Sequence, residues 1–390
     1  MLRSVIIAAF AGFAVVSVAS SEAGAQAVVK IGAVQSMTGA FSNTGRETID
    51  GARLYLRQHG DLVAGKKIEL VLKDDTSLPD VGKRLAQGLI VNDKVAVLLG
   101  GITPSALSIV PLTTEAKTPM IVLVSGSSIT VERSPYVVRT SFTLGQSAAT
   151  IGGWATKNGA RRIVTLVNDW APGLEAEMTF KSVAVANGAA IAEAIRVPLS
   201  NPDFSPFLQR VRDARADTFF AFVPTHQAAP LAKQFLERGL NKSGIRFVAT
   251  GDLTPDDELP TMPEAMLGLV TAHHYSAIHD SELNKAYVAA FQKEHGRRPS
   301  YHSVAGYDAM HLIYAALAKT GGKTDGELLV AAMKGMKWES PRGPIEIDAQ
   351  TRDIVQNEYI RKVELVNGQM YNVEFATIDA VKDPLHATGK

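Results

Sequence analysis

The 390-residue chain contains no cysteine. That excludes a disulfide framework, a thiolate nucleophile, a cysteine-ligated metal and a lipid attached through a cysteine. It has no surplus of charge either. Lys and Arg number 40 against 39 Asp and Glu, for a net charge of +1, so no basic excess marks it for nucleic acid or an anionic membrane surface. Beyond Ala27 no segment is apolar enough to span a bilayer. The nucleotide signatures are missing as well: there is no G-x-x-x-x-G-K-[ST], and no G-x-G-x-x-G follows the first strand-like run. There is no G-x-S-x-G elbow and no H-E-x-x-H pair. His273-His274, and His302 with His311, lack companion carboxylates at ligand spacing, so no metal site is expected.

What is present describes an ordinary globular chain, 46% hydrophobic and 20% charged. It is longer than one compact core usually covers, so two domains are expected. The first residues read as an address rather than as fold. Arg3 precedes an apolar stretch from Val5 to Val18, and Ala25-Gln26-Ala27 fits a small-residue cleavage site. Residues 1–27 are therefore expected to be a secretory signal peptide, removed on export to a bacterial periplasm.

From Val28 on, apolar runs alternate with amphipathic stretches. "VVKIGAV", "KIELVLKDD", "VAVLLGG" and "PMIVLVS" read as buried strands, and so do "RRIVTLVND", "AAIAEAIRV", "TFFAFVP", "IRFVATG" and "GLVTAHHY". Continuous apolar runs of this length suit parallel strands covered on both faces. Between them, stripes such as Leu283, Ala286, Tyr287, Ala290 and Phe291 have helical spacing. The fold class is α/β, with doubly wound sheets. The alternation starts twice, at Val28 and at Arg161 after a helix around Trp154. The first lobe is expected over 28–142 with 275–355 returning to it, the second over 143–274 with 356–390 returning. Near the end, "VNGQ" is a hairpin turn.

Ligands of open α/β sheets sit at the carboxyl ends of strands. After the first strand, Thr44 and Glu47 have capping-box spacing. After the third, "GGITPSAL" ends a strand in two glycines and opens a helix, with Thr103 as its expected N-cap and Ser105 in the first turn. After the fourth comes "SGSSIT", with Ser127, Ser128 and Thr130. Two such loops offer hydroxyls and amide hydrogens to an anion; with no lysine in either, a carboxylate fits better than a phosphate. Read alone, each loop is also an ordinary turn. In the second half, "NDWAPGLEAE" sets Trp170 before a helix, "VPTHQAAP" puts Thr225 and His226 at a strand end, and "ATGDLTPDDE" puts Asp252 at another. Asp252 reads as a partner for an ammonium or a hydroxyl, or as a turn aspartate. His273 and His274 adjoin on a strand, so one is expected to face the cleft and the other the core.

At these loops the sequence resembles the leucine/isoleucine/valine-binding protein family, the type I periplasmic solute receptors of ABC importers. The carriers are "IGAVQSMTGAFSNTGRETIDGARLYL", "LVLKDDTSLPDVGKRLAQGLIVNDKVAVLLGG", "TPMIVLVSGSSIT", "NDWAPGLEAEMTF" and "HSVAGYDAMHLIYAAL". The resemblance covers nearly the whole chain after the leader. It implies two Rossmann-like lobes joined by a three-crossover hinge and closing on a small-molecule carboxylate. The first lobe would hold the carboxylate. Pro104 stands where the family has a serine, so Ser105 substitutes for it; Ile129 stands where it has a threonine, with Thr130 beside it. Trp170 and His226 match the aromatic walls of the second lobe, and Asp252 matches the acid that meets an ammonium. Phe41 completes the expected ligand-binding set. The family's disulfide is absent.

The expected function is capture of a branched-chain amino acid or related hydrophobic carboxylate for an ABC permease, with no cofactor and no catalysis, by a monomer. "NPDFSPFLQRVRDARADTFFAFVP" resembles the branch of the family associated with aromatic acids, which makes a benzoate-like ligand the alternative. A ligand sensor, an exported hydrolase and a purely structural exported protein are the rival roles.

Overall fold

The computed structural model describes residues 27–200 and 202–386; the expected leader, up to residue 26, lies outside them. The first ten elements are β1 (Val28–Gln35), α1 (Ser42–His59), β2 (Leu62–Val63), β3 (Lys66–Asp74), α2 (Pro79–Val91), β4 (Val97–Gly100), α3 (Thr103–Ala116), β5 (Met120–Val122), α4 (Ile129–Glu132) and β6 (Val137–Arg139). Their strands form a sheet in the order β2-β3-β1-β4-β5-β6. All its pairings are parallel except that of β2 with β3. Ile31, Ala33, Val97, Leu99 and Ile121 are fully buried, as strands covered on both faces require.

The second series runs α5 (Leu144–Lys157), β7 (Arg162–Asn168), α6 (Ala171–Ala186), β8 (Ala190–Val197), α7 (Ser205–Asp213), β9 (Thr218–Phe222), α8 (Thr225–Glu237), β10 (Arg246–Thr250) and β11 (Val270–His273). After it come α9 (Glu282–His295), α10 (Tyr301–Lys319), α11 (Gly326–Met333), β12 (Lys337–Ser340), β13 (Gly343–Ile347), β14 (Ile354–Val366) and β15 (Gln369–Val381). The second sheet has the order β12-β13-β14-β11-β10-β9-β7-β8, with β15 on β14. Phe180 of α6 stacks on Phe220 of β9 at 3.9 Å between ring centroids, a large apolar contact at the centre of this lobe.

The chain passes between the lobes three times: after β6, after β11 and after α11. On the second passage α10 lies against α1 at backbone contact. A Cβ on Gly51 would stand 1.8 Å from the Ser303 carbonyl oxygen, and one on Gly306 1.9 Å from that of Thr48. Only glycine permits that approach, and it fixes the start of α10 beside the start of α1. In hydrogen bonding the return to the second lobe comes earlier than 356, because β12 and β13 already extend that lobe's sheet through β14. The "VNGQ" turn joins β14 to β15, with Asn367 and Gly368 at φ 50° and 78°, the positive pair that a tight hairpin needs.

Candidate functional site

Six helices begin at one place. The start of α1 supplies Phe41 and Thr44, that of α3 Ile102 and Thr103, and that of α5 Leu144. The start of α6 supplies Trp170 and Pro172, that of α8 Pro224 and Thr225, and that of α10 Tyr301 and His302. Together with Val124, Gly126, Phe142, Phe222 and Asp252 they line a cleft between the lobes. Five of these starts, those of α1, α3, α6, α8 and α10, have no side-chain cap and so present free amide hydrogens and the positive end of the helix dipole; the cleft therefore favours a negative charge. Its walls are aromatic: Phe41, Phe142, Trp170, Phe222 and Tyr301 all reach it.

Local geometry explains these positions. A Cβ on Gly173 would lie 2.0 Å from the Asn168 carbonyl oxygen, so α6 starts hard against the end of β7 and Trp170 is held on the turn between them. Arg139, fully buried at the end of β6, supports the loop after β5. Its Nη2 donates to the Ser127 carbonyl at 2.7 Å, its Nη1 to the carbonyls of Ser125 and Phe142, and its Nε to Asp353 Oδ1 at 2.6 Å.

The polar groups of the cleft are few. Asp252 accepts from the Thr250 hydroxyl at 2.9 Å and from the Tyr301 hydroxyl at 3.1 Å. Burial raises its carboxyl to about 6, and those two hydrogen bonds and Arg361 hold it from going higher. Each carboxylate oxygen still has a lone pair for a ligand. Burial lowers His302 to about 3, which keeps it neutral, and lowers His226 too. Trp170 Nε1 is buried with no hydrogen-bond partner among the described residues.

Of the residues expected from sequence, Phe41, Thr103, Trp170 and Asp252 line the one cleft. His226 stands behind its wall, edge-on to Phe41 at 5.0 Å. Ser105 is fully buried and faces α2 instead: a Cβ on Gly82 would sit 3.3 Å from its hydroxyl. The Thr130 hydroxyl pairs with Ser125 at 2.8 Å, and Ser125 in turn donates to Thr103. Ser127 and Ser128 bind a carboxylate, but it is the chain's own. The Ser127 hydroxyl donates to Glu175 Oε1, and the Ser128 amide donates to Oε2 at 2.9 Å.

Two capping expectations change. Thr103 is the first helical residue of α3 and Ile102 its cap, because the threonine hydroxyl is engaged by Ser125. Thr44 and Glu47 form no capping box. Glu47 accepts from the Ser300 amide and hydroxyl, each at 3.0 Å, and pairs with Arg297 at 2.7 Å. His273 and His274 are both fully buried, their rings 4.3 Å apart and each against Phe142. Neither lines the cleft. The sequence reading missed Tyr301 and His302, although "HSVAGYDAM" had carried part of the resemblance.

The model of a family described as periplasmic binding protein matches residues 28–369. The chain belongs to the periplasmic binding protein family. Within it, a Leu/Ile/Val-binding protein homolog from Brucella suis is 39% identical over 382 residues, covering 96% of this chain and 98% of that one. A solute-binding protein of an ABC transporter from Rhodopseudomonas palustris, solved with 3,4-dihydroxybenzoic acid, is 58% identical; the match covers 92% of this chain and 99% of that one, with a TM-score of 0.90. Another from the same species, solved with p-hydroxybenzoic acid, is 40% identical over 92% of this chain and 99% of its own, with a TM-score of 0.89. This periplasmic binding protein thus has the substrate-binding role of its family and the two-lobed fold expected of it. No helix among the described residues is long and apolar enough to cross a membrane.

Proposed function

We propose that this chain captures a small aromatic carboxylate, of the hydroxybenzoate kind, in the periplasm and delivers it unchanged to an ABC permease. The observation that carries the reading is the convergence of six helix starts on a cleft walled by five aromatic rings. The helix starts favour an anion, and flat rings favour a flat ligand. The carboxylate rests near Thr103 and Gly126 of the first lobe, with Trp170 Nε1 as a further donor. A ring hydroxyl at the opposite end donates to Asp252. The relatives solved with hydroxylated benzoic acids support the same class.

A branched-chain amino acid is the second reading, favoured by one feature: Asp252 as an acceptor for an ammonium. Isothermal titration with 4-hydroxybenzoate, 3,4-dihydroxybenzoate, benzoate and L-leucine separates the two. Binding of the hydroxybenzoates at micromolar dissociation constants or below, about −8 kcal/mol, with none for leucine, supports the first. Leucine binding alone overturns it. Recovery of the bound acid chemically unchanged after prolonged incubation checks that no turnover occurs.

A further inference from the structure

Two clasps cross from lobe to lobe beside the cleft. In one, Asn43 of α1 donates to Asp257 Oδ2 at 2.7 Å and to Glu258 Oε1 at 2.9 Å. In the other, Glu175 in the second turn of α6 takes both donors of the loop after β5, the Ser127 hydroxyl and the Ser128 amide. Gly126 and Pro172, the neighbours of this second clasp, line the cleft itself. The corner has the composition of a carboxylate seat, and Arg139 braces it from behind through the Ser127 carbonyl. Glu175 fills it from the opposite lobe.

We infer that Glu175 is a tethered anion that seats in the first lobe when the lobes close, and that its release sets how long the ligand stays bound. The inference rests on the reading that ligand binds in this cleft. It goes beyond that reading by assigning the closing contact to a residue that does not line the cavity. Glu175 has to leave Ser127 and Ser128 for the lobes to part, so it acts on dissociation. The encounter of ligand with an open cleft does not require it. Two hydrogen bonds to a charged acceptor, in a half-buried site, are strong enough to matter. Burial raises the Glu175 carboxyl, and the Ser127 and Ser128 donors and Arg139 work against that.

The absence of cysteine makes the test direct. Lys83→Cys on α2 and Lys233→Cys on α8, both at exposed positions, take a dye pair that reports lobe separation. Stopped-flow mixing with 4-hydroxybenzoate gives the rates. Glu175→Ala is expected to raise the dissociation rate about 10-fold, leave the association rate within about 2-fold and shift the ligand-free population toward the open form. Ser127→Ala, which deletes one donor, is expected to do the same to a smaller degree. An unchanged dissociation rate and an unchanged distance distribution in both variants overturn the inference. If the wild-type chain binds no 4-hydroxybenzoate, the reading of the ligand fails separately. The ligand-free distance distribution then decides on the latch alone, and no shift in Glu175→Ala refutes it.

Discussion

Asp252 concentrates the chemistry of the cleft in one side chain. Thr250 and Tyr301 already donate to it, so under the proposed reading it would serve a ligand as an additional acceptor, and a ring hydroxyl suits the lone pairs that remain. A hydrogen bond to a charged group is worth about 1.5–3 kcal/mol. Asp252→Asn is therefore expected to weaken 4-hydroxybenzoate binding by about 10-fold or more while leaving benzoate, which has no hydroxyl, nearly unaffected. Titration calorimetry on the two acids reads the difference, and equal losses would place the hydroxyl elsewhere. The same carboxyl titrates at about 6, so the preference for 4-hydroxybenzoate over benzoate should shrink as pH falls below 6. Trp170, Asp252 and Thr103 were legible in the sequence because each follows a recognisable strand. Tyr301 and His302 were not. They come from a crossover helix that strand-end logic does not cover, and tertiary contacts bring them to the cleft: the close approaches at Gly51 and Gly306 and the Glu47–Ser300 hydrogen bonds. Ser127 and Ser128 were recognised as donors, but the sequence held no sign that Glu175 would be their acceptor.

At the level of elements, the helix starts do two kinds of work. Those of α1, α3, α6, α8 and α10 have no side-chain cap hydrogen bond and supply residues to the cleft. The start of α5 is closed: Thr143 accepts from the Gln146 amide at 3.3 Å, and the Gln146 side chain accepts from the Thr143 amide at 3.0 Å. Gln146 also donates to the Ile354 and Val381 carbonyls, so this box ties the first crossover to β14 and β15. Thr143→Ala is expected to cost about 1 kcal/mol of stability, measured as a lowered urea midpoint with little change in slope. Phe180→Ala, which opens a cavity under the stacked pair, is expected to cost about 3–5 kcal/mol. The strands and most helices were legible from their apolar periodicity. The N-terminal caps were not, although Gly296 ends α9 in the left-handed conformation that its place after the apolar stripe predicts: the Thr44–Glu47 spacing is local, whereas burial of Glu47 against Ser300 and Arg297 is tertiary and outranks it.

For the molecule as a whole, buried ionisable groups at the lobe interface and hinge set the dependence of stability on pH. Burial raises Glu358 to about 8, against the pull of Arg361 and Arg342. Burial, with Asp257 beside it, raises Glu258 to about 7. A carboxyl raised in the folded state favours folding in its protonated form, so its contribution is present at low pH and is lost as pH rises through the folded value. His273 and His274 are pushed well below their ordinary value by burial and by the nearby Arg361 and Arg342, and His302 is pushed down by burial alone. Groups of that kind favour folding while neutral, and their contribution is lost as pH falls below about 6.5. The two sets oppose each other, so stability is expected to peak near pH 6.5, falling above it through the glutamates and below it through the histidines. Thermal melts of the ligand-free chain from pH 5 to 9 give the profile. With about 2 °C of midpoint per kcal/mol for a chain of this size, the decline between pH 6.5 and 8.5 should be several degrees. Glu358→Gln, which keeps the shape and removes the charge, should make the alkaline limb shallower, the rest being sustained by Glu258 and by Glu47, which burial also raises to about 8, and should steepen the acid limb, where Glu358 no longer offsets the histidines. A profile that rises monotonically toward pH 9 in the wild-type chain would show that the buried glutamates are ionised at little cost and that the histidines alone govern the response.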